Sequence, residues 1–154
     1  MKKYLLIILI GLFGYLSTNA QKSINWNYLA DYDFELRYNE ETELYFRFPL
    51  FSEKVKKIQG ETIEIEGYMI PVDVEASYYV LSAFPYANCF FCGGAGPESV
   101  VELEMKPGHR RYKTDERIKM RGKFKLNSVD IYQLSYVLEE AEEIKWMLVE
   151  AYYF

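Results

Sequence analysis

Two runs of this chain, Thr62 to Pro71 and Ile118 to Leu126, alternate apolar and charged residues and carry a glycine in mid-run. In the first, Ile63 and Ile65 fall on one face and Glu64 and Glu66 on the other, with Gly67 interrupting before Tyr68 and Ile70. The second repeats the design: Ile118, Met120, Phe124 and Leu126 face inward, Lys119, Arg121, Lys123 and Lys125 face outward, and Gly122 sits between. Period-two alternation is the signature of a half-buried strand. A mid-strand glycine marks a bulge or sharp bend, which a strand needs if it is to curl around a small barrel. Ser77 to Ala83, Ser99 to Met105 and Tyr132 to Leu138 supply three further strands by the same count. A sandwich wants about seven strands. Five short strands, two of them bent at glycine, predict instead a mainly β chain built on a five-stranded OB-like barrel.

The remaining segments frame that barrel. Residues 52–154 are expected to hold the OB-like domain, and residues 21–51 an irregular N-terminal extension packed on it. In the extension, aromatic and aliphatic residues such as Trp26, Phe34, Leu36, Phe46 and Phe48 are interrupted by Glu40, Glu41 and Glu43. Ser52 can cap a short helix reaching Ile58, with Gly60 as its stop. Near the end, Ala141, Ile144, Met147, Leu148 and Ala151 approximate helical spacing and predict a C-terminal helix. Fifteen tyrosines and ten phenylalanines favour strands.

Residues 1–20 begin with Lys2 and Lys3, run apolar from Tyr4 to Leu16 and end in small and polar residues. This is the pattern of a secretory signal peptide, with cleavage expected after Ala20 and Thr18 as the other small recognition residue. The apolar run is short for a bilayer span, and no second run follows it, so no stable membrane span is expected after cleavage. The mature chain would be periplasmic or secreted. Loss of the two lysines would move the net charge from −5 to −7. An acidic, exported chain is a poor partner for phosphate backbones, so nucleic acid is excluded as a partner despite the basic strand face.

The chain has two cysteines, Cys89 and Cys92, in a Cys-x-x-Cys followed by Gly93 and Gly94, between two strands. The turn lets both sulfurs converge, which permits a disulfide, a redox couple or half of a soft-metal site. In an oxidising compartment a loop disulfide is the plain reading. A tetrahedral zinc site would need further ligands, for which Glu98, the single histidine His109, or the cysteines of another subunit are candidates. No thioredoxin-like order surrounds the pair, and no histidine at position 93 completes a haem-attachment motif. Gly-x-Ser-x-Gly and His-Glu-x-x-His are absent, and GGAG lacks the lysine of a phosphate loop. Catalytic residues are therefore not expected. Phe90 and Phe91, between the cysteines, are candidate partner contacts.

The runs FPLFSEKVKKIQGETIEIEGYMIPVD and YYVLSAFPYANCFFCGGAGPESVVEL resemble a family of small exported bacterial proteins classed as a domain of unknown function. Gly60, Gly67, Tyr68, Met69, Ile70 and Pro71 fall on its G-x-x-V-x-I-x-G-Y-M-[IV]-P pattern, and Pro85, Tyr86 and Cys89 on its P-Y-x-x-C. The resemblance covers roughly Pro49 to Leu126 and implies a zinc-handling accessory role, since some relatives are encoded near transporters and zinc-uptake components. Many relatives continue with a histidine and a proline run. Here Phe91 stands where that histidine would, glycines replace most of the prolines, and Cys92 is added. The function expected from residues and resemblance together is an exported, non-enzymatic accessory or binding protein of the cell envelope. Its partner would be an envelope or transporter component, and zinc or another soft metal a cofactor at the cysteine loop. The alternative is a protein-interaction domain whose loop disulfide is structural, and the redox protein is third. The oligomeric state is not legible in the sequence.

Overall fold

The computed structural model describes residues 22–40 and 42–144. In chain order the elements are β1 (Lys22–Ser23), α1 (Trp26–Leu29), β2 (Tyr32–Asn39), β3 (Leu44–Phe51), α2 (Glu53–Lys56), β4 (Thr62–Asp73), β5 (Tyr78–Ser82), β6 (Val100–Met105), β7 (Arg117–Leu126) and β8 (Tyr136–Glu143). Three single 3₁₀ turns, Tyr86–Asn88, Phe90–Cys92 and Pro97–Ser99, lie between β5 and β6.

The barrel runs β4-β5-β6-β8-β7 and closes by the pairing of β4 with β7. The β6–β8 pair is parallel and the other four are antiparallel. This is the five-stranded OB-like architecture expected from the alternating runs. Ile63, Ile65, Met69, Leu81, Met120 and Phe124 are fully buried inside it. Both mid-strand glycines sit where a neighbouring strand approaches closely. A Cβ on Gly67 would stand 2.5 Å from the Ser82 carbonyl oxygen, and one on Gly122 would stand 2.6 Å from that of Glu139. A side chain at either place would push the neighbouring strand away.

The outward residues of β4 and β7 carry opposite charge across their ladder. Lys119 Nζ lies 2.7 Å from Glu64, Arg121 Nε 3.4 Å from the same carboxylate, and Arg117 Nε 2.5 Å from Glu66. Opposite-charge pairs on facing strands contribute roughly 0.2–1 kcal/mol each. The basic stripe of β7 is thus matched to the acidic stripe of β4 along the seam that closes the barrel.

Residues 22–51 are more regular than the sequence suggests. β1 adds to β4 in parallel, α1 buries Leu29, and β2 and β3, eight residues each, form an antiparallel hairpin in a sheet of its own. The Trp26 indole N–H donates to the Glu66 carbonyl at 2.7 Å, and the Tyr136 hydroxyl donates to the Leu29 carbonyl at 3.0 Å. These bonds tie the N-terminal segment to the barrel. Ser52 caps α2 by accepting the Val55 N–H at 3.4 Å, and Gly60 follows with φ +79°. α2 ends at Lys56, two residues before the predicted Ile58.

The final strand corrects two expectations. β8 starts at Tyr136 rather than Tyr132, because Asn127 gathers residues 128–134 into a loop. Its side-chain amide donates to the carbonyls of Asp130 and Gln133 and accepts the N–H groups of Val129 and Asp130. Ala141, assigned by helical spacing to a C-terminal helix, is instead buried in β8, where it pairs with Met105 of β6. Strand pairing on both sides overrides a weak helical period. The rest of the predicted helix and the predicted signal peptide, residues 1–20, lie outside the described residues.

Candidate functional site

The cysteine loop leaves β5 at Ser82 and returns as β6 at Val100. Asp115 pins its start by accepting the Tyr86 N–H at 2.6 Å from a position 29 residues further along the chain. Within the loop the backbone turns twice on itself. The Cys92 N–H donates to the Cys89 carbonyl at 3.1 Å, and the Gly94 N–H donates to the same oxygen at 3.1 Å. Gly93 takes a left-handed conformation, φ +74°. A Cβ on Gly94 would meet the Asn88 carbonyl oxygen at 2.7 Å, so this position also needs glycine. The Gly-Gly after the second cysteine is what lets the turn close.

The two thiols differ in environment. Cys89 is fully buried among Ile70, Val80 and Val100, a small apolar cluster outside the main core. The loop therefore lies against the barrel wall rather than projecting as a tip. Cys92 is exposed, and both cysteines are free thiols. Desolvation within the turn raises the Cys92 thiol above its ordinary value of 9.0. The Cys89 sulfur beside it adds to the rise by its charge and its hydrogen bond, and a hydrogen bond from Tyr86 opposes it. A thiol held protonated at neutral pH is a weak attacking group. It remains able to join its neighbour when an external oxidant removes two protons and two electrons.

The other predicted residues separate. Phe91 is 43% exposed and stands edge-to-face with Phe90. Phe84 and Tyr86 bring exposed rings to the same loop. Phe90 is half-buried and turns towards a cleft of about 440 Å³ between the hairpin and the loop of residues 127–135. Glu98 lines that cleft from the 3₁₀ turn Pro97–Ser99. His109 lies after β6, with its ring stacked on Tyr112 and edge-on to Tyr79, and its Nδ1 donates to the Arg110 carbonyl at 2.8 Å. Among the described residues no three of His, Cys, Asp and Glu gather as a metal-ligand group. The sequence missed Tyr86 and Asp115 as parts of the loop. Tyr86 was visible as a motif residue without a role, and nothing local to Asp115 signals its distant partner.

No family profile matches the chain, and no curated protein does. A solved structure is similar to it: a DUF3299 family protein from Pseudomonas aeruginosa, at 14% sequence identity and a TM-score of 0.51. The match covers 82% of this chain and 98% of that chain. The barrel with its N-terminal additions is thus a fold this chain shares with a protein from a family whose domain is of unknown function.

Proposed function

We propose that this protein is an exported, non-enzymatic accessory module of the cell envelope that binds a transport or envelope component through the Cys89–Cys92 loop. The observation that carries the reading is the loop itself: two free thiols held on one backbone turn, one buried and one exposed, beside Phe84, Tyr86 and Phe91, which are presented to solvent. Aromatic side chains on a braced loop make good anchors for a protein surface. Export is supported by the N-terminal signal pattern.

The zinc association that the sequence resemblance implies gives a second, narrower reading of the same loop. Two thiolates make half of a tetrahedral site, and neither Glu98 nor His109 joins them. The described residues of one chain do not supply a closed zinc centre. Zinc or another soft metal would be held here only with donors from the bound partner. Without them the dithiol serves as a loop disulfide.

The test is to isolate the exported protein without reductant or chelator, record its native mass, and then compare Phe91→Ala with Cys89→Ser/Cys92→Ser. Loss of a co-purifying envelope protein in Phe91→Ala, with the fold intact by circular dichroism, supports the binding module. A partner retained in both variants overturns it. Metal in the complex that disappears with the cysteines selects the shared-site reading. A metal-free chain lighter by two hydrogens selects the disulfide.

A further inference from the structure

The β2–β3 hairpin stands apart from the barrel sheet, and among the described residues neither strand pairs with anything else. An isolated two-stranded hairpin is marginal in water. This one exposes Leu36 at 61% and Tyr38 at 52% on β2. Its two edges are not equivalent. β3 lies beside the 127–135 loop, with Phe46, Phe48 and Pro49 against Val129 and Ile131 around a cavity of about 110 Å³. The Tyr32–Phe34 end of β2 borders the cleft shared with Gln133, Leu134 and Ser135, whereas Leu36, Arg37, Tyr38 and Asn39 line neither that cleft nor the cavity beside β3.

The direction of the β2 amides follows from Pro49. Pro49 has no N–H and stands opposite Phe34, whose own N–H is donated to the Asp33 side chain at 2.8 Å. That pair is therefore a non-hydrogen-bonded one, and by the alternation of antiparallel ladders Phe34, Leu36 and Tyr38 point their N–H and C=O groups away from β3. With the Phe34 N–H held by Asp33, the outward groups β2 offers a further strand are the N–H and C=O of Leu36 and Tyr38 and the Phe34 carbonyl.

The charges on β2 select what can add to it. Around a two-fold axis through Leu36, a second β2 would place Glu35 opposite Arg37, Asp33 opposite Asn39, Phe34 opposite Tyr38 and Leu36 opposite itself. An axis through Arg37 would set Arg37 against Arg37, and one through Glu35 would set two carboxylates together. Only the Leu36-centred register of these three avoids like charges. It also puts Phe34, Leu36 and Tyr38 of both copies on one face, where aromatic–aliphatic pairs stabilise.

We infer that two copies of this chain associate through antiparallel pairing of their β2 edges about Leu36, which makes a four-stranded sheet β3-β2-β2-β3. This dimer does not use the cysteine loop, so its failure and that of the proposed function are separable. The test is sedimentation of the purified chain with Glu35→Arg, Arg37→Glu and the double swap, all exposed or half-buried surface positions. The wild type is expected to sediment as a dimer. Each single variant is expected to weaken dimerisation about tenfold, since it turns two attractive pairs into repulsive ones. The double swap is expected to restore it. A monomer at every concentration, single variants that dimerise like wild type, or a swap that stays monomeric would each overturn the inference. So would a monomer that binds phosphatidylglycerol vesicles and is released by Leu36→Asp, which would assign the hairpin to a lipid surface.

Discussion

Gly67 shows how much one missing side chain carries. Its φ is not in the left-handed region, so alanine is tolerated by the backbone conformation and excluded by its surroundings: the Ser82 carbonyl oxygen at 2.5 Å, Leu81 Cγ at 3.0 Å and Trp26 Cζ2 at 3.0 Å. Gly67→Ala must separate β4 from β5 or displace the Trp26 ring. The expected cost is about 1–3 kcal/mol in urea unfolding, the usual scale for overpacking. Gly93→Ala is the contrast, because nothing lies within 4 Å of its Cβ position and only the φ of +74° resists. A Gly67→Ala protein as stable as wild type would show that the strand crossing is softer than these contacts require.

At the scale of elements, the β4–β7 seam makes stability depend on pH. The hydrogen bond from Lys119 is the largest cause holding the Glu64 carboxyl below its ordinary value of 4.5, with the charges of Lys119 and Arg121 adding to it and burial opposing. A carboxylate whose folded pKa is depressed contributes stability that is fully present above the unfolded value and is lost as pH falls through the folded one. Glu64→Gln should therefore be less stable than wild type at pH 7. The two should converge as pH drops below about 4.3, the ordinary glutamate range. Parallel stability curves through that window would remove Glu64 from the acid response. This seam was legible in the sequence, because Glu64 and Glu66 on one alternating strand and Lys119 and Arg121 on another announce complementary outer faces. The hairpin was not. Phe34, Leu36 and Tyr38 share a face with Tyr45 and Arg47, whereas Phe46 and Phe48 share the other with Glu35 and Arg37, so neither face reads as wholly apolar. The cysteine turn was legible from Cys-x-x-Cys-Gly-Gly. The burial of Cys89 was not, since Ile70, Val80 and Val100 reach it from three strands.

The whole molecule folds by joining distant parts of the chain. Thr62 pairs with Lys123 to close the barrel, and β8 inserts between β6 and β7. Non-local pairing of this kind places refolding in the millisecond-to-second range rather than in microseconds. Tryptophan fluorescence in stopped flow is the measurement, because Trp26 is bonded to β4. Refolding complete within the dead time would mean that the barrel forms from more local contacts than its topology implies.

Pro49, placed in β3 opposite Phe34, also sets a limit on growth. A sheet extended through β2 ends at β3, where the proline offers no N–H to a further strand and Arg47 adds a charge beside it. In the arrangement inferred above, growth would therefore stop at a closed pair rather than run on into a fibre.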